Sequence, residues 1–218
     1  MSLLITLILS YLVGSVPTSI IVTRLVKGVD IRTQGSGNAG GTNVVRTLGL
    51  GWGALVIIID AVKGFLASAL ISQIALGDLV QILGVSLQDA AAVRILAGCA
   101  AVAGHVWSVF AGFRGGKGVS TAAGMLLGVA PAEMLASLVV FLVVVAVTKY
   151  VSLGSILAAV AFPVTLLIRE DLMGARIPDY LTLLLFSTVL AFFLILNHRA
   201  NMKRLIAGTE HRFGTPRA

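Results

Sequence analysis

The chain has 218 residues, 58% of them hydrophobic and 11% charged, with a mean hydropathy of +1.03. A soluble core cannot absorb that much apolar sequence, so the bilayer is the solvent for most of it. The net charge of +7 comes without a long basic run or aromatic–basic interleaving, which sets nucleic acid aside, and the single cysteine, Cys99, rules out an intramolecular disulfide.

One crossing takes about 20 apolar residues. On that rule spans are predicted near 3–23, 52–76, 92–112, 119–131, 132–148, 152–168 and 180–196. The fold class is therefore all-α: a single integral-membrane domain over 1–218 with about seven transmembrane helices, some short or broken. The first segment lacks a basic leader and an A-x-A-like site, so it stays as a membrane helix, broken near Pro17. The fourth is short and glycine-rich, and whether it crosses fully is left open. Seven spans put the termini on opposite sides. Twelve of the sixteen cations fall in one set of connections, while Arg94, Arg169 and Arg176 lie in the other, among most of the acids. The positive-inside rule then places the N-terminus outside and the C-terminus in the cytoplasm.

In chain order, the first polar cluster is GSGNAG at 35–40. No strand precedes it, so the literal GxGxxG match is not a dinucleotide signal. A helix starting near 41 presents Thr42, Asn43 and Arg46 on one face, behind a turn whose N–H groups suit an anion. Asp60 and Lys63 lie inside the second span as an i,i+3 pair that orders the bundle. His105, near the end of the third span, reads as a packed, hydrogen-bonded side chain. GFRGGKG at 112–118 resembles a phosphate loop but lacks the Walker serine or threonine: Gly118 follows Lys117. There Gly115, Gly116 and Gly118 permit close backbone approach and Lys117 adds a point charge. Ser152 and Ser155 cap a helix start or line a second anion pocket. At the last span's end Asn197, Asn201 and Arg204 share a face, with His198 adjacent and Glu210 downstream. The three histidines are scattered, and neither HxxxH nor CxxC occurs, so no metal and no cofactor is expected.

Together these segments resemble the bacterial acyl-phosphate:glycerol-3-phosphate acyltransferase family. The resemblance runs from LVGSVP at 12–17 through GSGNAGGTNVVR, DAVKG at 60–64, GHVWSVFAGFRGGKGVST at 104–121 and KYVSLGS to NHRANMKRLIAGTE at 197–210. Ala39, Gly41 and Ser108 stand where Pro, Ala and Pro are expected, and Gly154 where Ala is common. The resemblance implies a seven-helix bacterial inner-membrane enzyme with its active site on the cytoplasmic side. It implies transfer of an acyl group from acyl phosphate to glycerol 3-phosphate, giving 1-acyl-glycerol 3-phosphate (lysophosphatidic acid) and inorganic phosphate, the first step of phospholipid synthesis. Its partners would be those two substrates and the bilayer, with long-chain acyl phosphate supplied by a soluble acyl-carrier-protein-dependent enzyme.

The resemblance assigns Ser36, Arg46, Lys117, Asn197 and His198 to catalysis. Asn38, Gly40, Thr42, Asn43, Gly115, Gly116, Gly118, Ser152, Ser155 and Asn201 would bind substrate; Asp60, Lys63, His105 and Glu210 would be structural. The donor phosphate would sit with Gly40, Thr42 and the Ser152–Ser155 segment, and glycerol 3-phosphate with Ser36, Arg46, Lys117, Asn197 and His198. The general base is either His198 or the substrate's own phosphate. A small anion or phosphate-ester transporter is the rival reading, since it too wants cationic glycine-rich loops at broken helices. A non-catalytic anionic-lipid binder would explain the charge but not Asn38, Asn43, Asn197 and Asn201.

Overall fold

A computed structural model describes residues 2–75, 80–82, 85–87, 90–210 and 212. The chain forms two compact units, Met1–Val129 and Ala130–Ala218.

In the first unit, α1 (Ser2–Ser15) and α2 (Thr18–Lys27) are the two halves of a broken span. Pro17 removes an N–H at the junction, as the sequence predicts, and the carbonyls released there are taken up by side chains. Lys63 Nζ donates to the Val16 carbonyl at 2.6 Å, and Ser108 Oγ donates to the Ser15 carbonyl. The buried face of α1 is Thr6, Ser10, Gly14 and Ser15, while Leu4, Ile5, Ile8 and Leu9 are exposed. This inversion of a soluble helix is what lipid outside and backbone contact inside require.

Next come α3 (Gly41–Leu48), α4 (Leu50–Phe65), α5 (Ala90–Val106) and α6 (Val119–Val129). Small residues let their backbones touch. A β-carbon on Gly14 would sit 2.0 Å from the Ala101 carbonyl oxygen, fixing α1 on α5. One on Gly64 would sit 1.9 Å from the Thr121 oxygen, and one on Gly124 1.7 Å from the Ala61 oxygen, fixing α4 on α6. A π-helical turn, Leu66–Leu70, and a 3-10 turn, Ile71–Ile74, prolong α4. Between α4 and α5 a small antiparallel hairpin pairs β1 (Val80–Ile82) with β2 (Val85–Leu87), Val80 opposite Leu87. The all-helical expectation did not include it.

The second unit holds α7 (Pro131–Thr148), α8 (Val151–Leu167), α9 (Tyr180–Asn197) and α10 (Arg199–Ile206). Pro131 occupies the first turn of α7, where its missing N–H does no harm. The buried Glu133 pairs with Arg169, which lies just past the end of α8 in a π-helical turn, Ile168–Leu172. That ion pair ties the far ends of the α7–α8 hairpin together.

Among the described residues five segments are long and apolar enough to cross a membrane: Ser2–Lys27, Leu50–Ile74, Ala90–Ala111, Pro131–Thr148 and Val151–Leu172. A sixth is the pair Tyr180–Leu196 and Arg199–Ile206, bent by 57°. The span predicted at 119–131 is the 11-residue α6. At about 1.5 Å per residue it is roughly 16 Å long, about half of a hydrocarbon core.

Candidate active site

In the first unit the loop from α2 to α3 is organised by two side chains. Asp30 caps the 3-10 turn Ile31–Thr33 by accepting the Arg32 N–H at 3.0 Å. Its carboxylate also takes Arg32 Nη2 at 2.8 Å and Arg24 Nη2 at 2.9 Å, and Arg32 Nη1 reaches the Ala111 carbonyl at 2.9 Å. Arg32 thus holds the Asp30 carboxyl far below the usual carboxylate range, against a smaller opposing effect of burial. The sequence reading passed over Asp30. Its signal was there: only Asp30 and Glu210 are acids among the cation-rich connections.

Asn43 is the second organiser. Only 1% exposed, it accepts the Ser36 N–H at 3.0 Å and faces the carbonyls of Ile31, Gln34 and Asn38 at 2.9–3.1 Å through Nδ2. Its amide is committed to the loop, so it shapes the site from beneath and presents nothing to a ligand. Gly35, at φ +55°, has no room for a β-carbon, which would sit 2.3 Å from Asn43 Oδ1. Ser36, Thr42 and Arg46 are exposed, the last two one helical turn apart on α3, and Gly40 is the N-terminal cap of that helix. Asn38 is half-buried; its carbonyl also accepts the Gly40 N–H at 3.0 Å.

The glycines of the 112–118 loop pack it against the end of α5. Gly115 N–H donates to the Val106 carbonyl at 3.0 Å and Gly116 N–H to the His105 carbonyl at 3.1 Å. These donors satisfy the open carbonyl end of α5 and are not aimed at an anion. What the glycines supply is close approach. A β-carbon on Gly115 would lie 1.8 Å from the His105 carbonyl oxygen; one on Gly116 would lie 2.3 Å from His105 Nε2 and 2.6 Å from the Ala39 oxygen. The two glycine-rich loops therefore meet at Ala39 and Gly116. Gly118 takes φ +76°, and Lys117 stands exposed between the two glycines. Among the described residues no carboxylate lies within 4.0 Å of a cationic nitrogen of Arg46 or Lys117. Beside these loops an apolar groove of about 680 Å³ is lined by Val16, Pro17, Ile20, Ile21 and Phe110, with Arg24 and Arg32.

In the second unit Glu210 is the hub. Its carboxylate accepts Ser152 Oγ at 2.8 Å, Asn201 Nδ2 at 2.7 Å and Arg204 Nε at 2.7 Å, closing the segment after α10 onto the start of α8. Burial works to raise its pKa, but the three hydrogen bonds outweigh it and the carboxyl titrates below its ordinary value. Ser155 Oγ turns back to the Val151 carbonyl at 3.0 Å. His198 Nδ1 is 2.8 Å from the Leu194 carbonyl. A carbonyl only accepts, so Nδ1 carries the proton and Nε2 holds the lone pair when the ring is neutral. Asn197 ends α9; its side chain lies outside the described atoms.

Residues 4–208 match the family model described as glycerol-3-phosphate acyltransferase. The chain belongs to the glycerol-3-phosphate acyltransferase family. Curated members from Chlorobium chlorochromatii and Chlorobaculum tepidum are 47% and 46% identical to it, over 97% and 94% of each chain. Two crystal structures of PlsY, described as an integral membrane glycerol 3-phosphate acyltransferase, are 38% identical and cover 99% of this chain and 97% of their own. The glycerol 3-phosphate form superposes with a TM-score of 0.77 and the lysophosphatidic acid form with 0.76. The chain is accordingly a multi-pass membrane acyltransferase.

Two outcomes follow from this geometry. Gly116→Ala should lift the loop off α5 at a cost of about 1–3 kcal/mol, seen as faster tryptic cleavage after Lys117; unchanged cleavage would mean the contact is slack. Because its folded-state value is depressed, Glu210 stabilises the second unit above the ordinary 4.5, and that contribution is lost as pH falls below it towards the folded value. Thermal melts should show Glu210→Gln less stable than wild type at neutral pH, with the gap closing as the medium is acidified.

Proposed function

We propose that this protein transfers an acyl group from long-chain acyl phosphate to glycerol 3-phosphate, releasing inorganic phosphate and 1-acyl-glycerol 3-phosphate. The observation that carries the proposal is the docking of the two glycine-rich loops at Ala39 and Gly116, which presents Arg46 and Lys117 without carboxylate partners. The solved relatives, in glycerol 3-phosphate and lysophosphatidic acid forms, support this acceptor and this product.

Acyl phosphate is a mixed anhydride, so its phosphate leaves readily and no protein nucleophile is needed. The acceptor hydroxyl attacks the carbonyl carbon, the new ester bond forms and the bond from carbonyl carbon to phosphate oxygen breaks. The hydroxyl proton passes either to His198 Nε2 or to a substrate phosphate oxygen. What the protein supplies is alignment of two anions that repel one another, for which proximity and fixed positive charge suffice. Ser36, Arg46 and Lys117 hold glycerol 3-phosphate, and the Gly40–Thr42 turn, with the open N–H groups of α3, reads the donor phosphate. The acyl tail fits the apolar groove beside Pro17. The excess of cations in these connections supports a cytoplasmic face for the glycine-rich loops; the membrane in this reading is a bacterial inner membrane, with acyl phosphate delivered by a soluble acyl-carrier-protein-dependent enzyme.

A transporter would need polar groups open to traffic in the span. The buried charges there, Asp60 and Lys63, are instead closed on each other and on the Val16 carbonyl.

Purified protein in lipid nanodiscs should release phosphate from acyl phosphate and glycerol 3-phosphate, with chelator present, and fail with acyl-CoA or acyl carrier protein donors. Equal use of acyl-CoA would sink the donor assignment. In the same assay Arg46→Ala should lose about 1.5–3 kcal/mol of transition-state stabilisation, roughly ten- to hundredfold or more in rate, and Arg46→Lys should recover little. Ile21→Trp, narrowing the groove, should shift preference to shorter donors. For the orientation, cysteines placed at the exposed positions Thr33, Arg114 and Thr209 should label from the cytoplasmic side and one at Gly174 from outside; labelling of the first three from opposite sides would refute it.

A further inference from the structure

Three ionisable side chains lie buried beneath the two loops: Asp60 is 2% exposed, Lys63 5% and His105 9%. Each touches a different part of the frame. Lys63 Nζ donates to Asp60 Oδ1 at 2.7 Å and to the Val16 carbonyl at 2.6 Å, so it grips the break in the first span. The same Asp60 oxygen is 3.7 Å from His105 Nδ1. On the other edge of the imidazole, Nε2 faces Gly116, whose N–H is already bound to the His105 carbonyl. The next residue is Lys117. A continuous path therefore runs from Pro17 through Lys63, Asp60 and His105 to the loop that carries the exposed lysine.

A buried ion pair is a poor way to hold a bundle together, because apolar side chains of the same volume usually stabilise as well or better. What a pair with bonds of 2.6–2.7 Å adds is a fixed distance. Apolar contacts tolerate sliding; this arrangement does not. The α1–α5 and α4–α6 crossings are already set by glycine contacts, so the charged path is free to serve position.

We propose that Lys63, Asp60 and His105 are positioning residues that set the place of Lys117 relative to the break at Pro17, and that they influence the reaction only through that lysine. This rests on the reading of Lys117 as a glycerol 3-phosphate contact.

The test is a double-mutant cycle of His105→Leu with Lys117→Ala, read as KM for glycerol 3-phosphate and kcat per folded protein. His105→Leu should raise KM about tenfold with kcat nearly unchanged, and His105→Gln, whose amide can stand in for Nε2, should restore most of it. The double variant should be no worse than Lys117→Ala alone, since His105 has nothing left to position. The neutral pair Asp60→Asn with Lys63→Met, which leaves no buried charge unpaired, should raise KM in the same way and be equally silent in the Lys117→Ala background. Additive losses, or a His105→Leu protein that melts early with an unchanged KM, would overturn the proposal and leave Lys117 in place. If Lys117→Ala alone leaves KM unchanged, the reading of Lys117 falls, and the positioning role with it.

Discussion

A carbonyl released inside a membrane helix has no water to turn to, and its neighbours must supply a donor. Pro17 creates that demand at the junction of α1 and α2. Ser108 answers it at Ser15 and Lys63 at Val16, drawing the segment just after α5 and the last turn of α4 onto one point. Ser108 stands where the family resemblance led us to expect proline, and its hydroxyl does what a proline ring could not. With α4 and α5 fixed at the break, His105 and the 112–118 loop are fixed as well, and so is the junction with Ala39. The broken span is thus the reference point from which both glycine-rich loops of the first unit take their positions.

Two carboxylates play matching parts. Asp30 gathers Arg24 and Arg32, and Glu210 gathers Ser152, Asn201 and Arg204. Each closes a segment of chain by accepting several hydrogen bonds, and in each case those bonds hold the carboxyl ionised below its ordinary range. In a chain so rich in cations, placing the few acids at hubs leaves Arg46 and Lys117 uncompensated. Arg24, Arg32 and Arg204 are structural because each has an acid beside it.

The glycines also divide by task. Gly14, Gly64 and Gly124 let helix backbones touch, whereas Gly115 and Gly116 let a loop lie against a helix end. By analogy with phosphate loops, the sequence predicts that the 112–118 glycines permit close backbone approach. The N–H groups of Gly115 and Gly116 go to carbonyls of α5, so what this loop exposes is the side chains of Arg114 and Lys117. Open N–H groups belong to the first turn of α3.

Composition alone determined the solvent. Apolar runs with few charges fit only a bilayer, so the all-helical membrane fold and the break at Pro17 were legible, as was the family from ordered short motifs. The exposure of Ser36, Thr42, Arg46 and Lys117 was legible too, because a cation or hydroxyl beside glycines in an apolar chain belongs at a wet surface. Tertiary structure alone decided where hydrogen bonds close. That Asn43 and Asp30 are hubs depends on how one short loop folds back on itself, and that Gly115 and Gly116 face α5 and His105 lies between Asp60 and Gly116 depends on how loop and helices pack. The sequence lists donors and acceptors; which of them meet is settled by how closely glycine lets the helices approach.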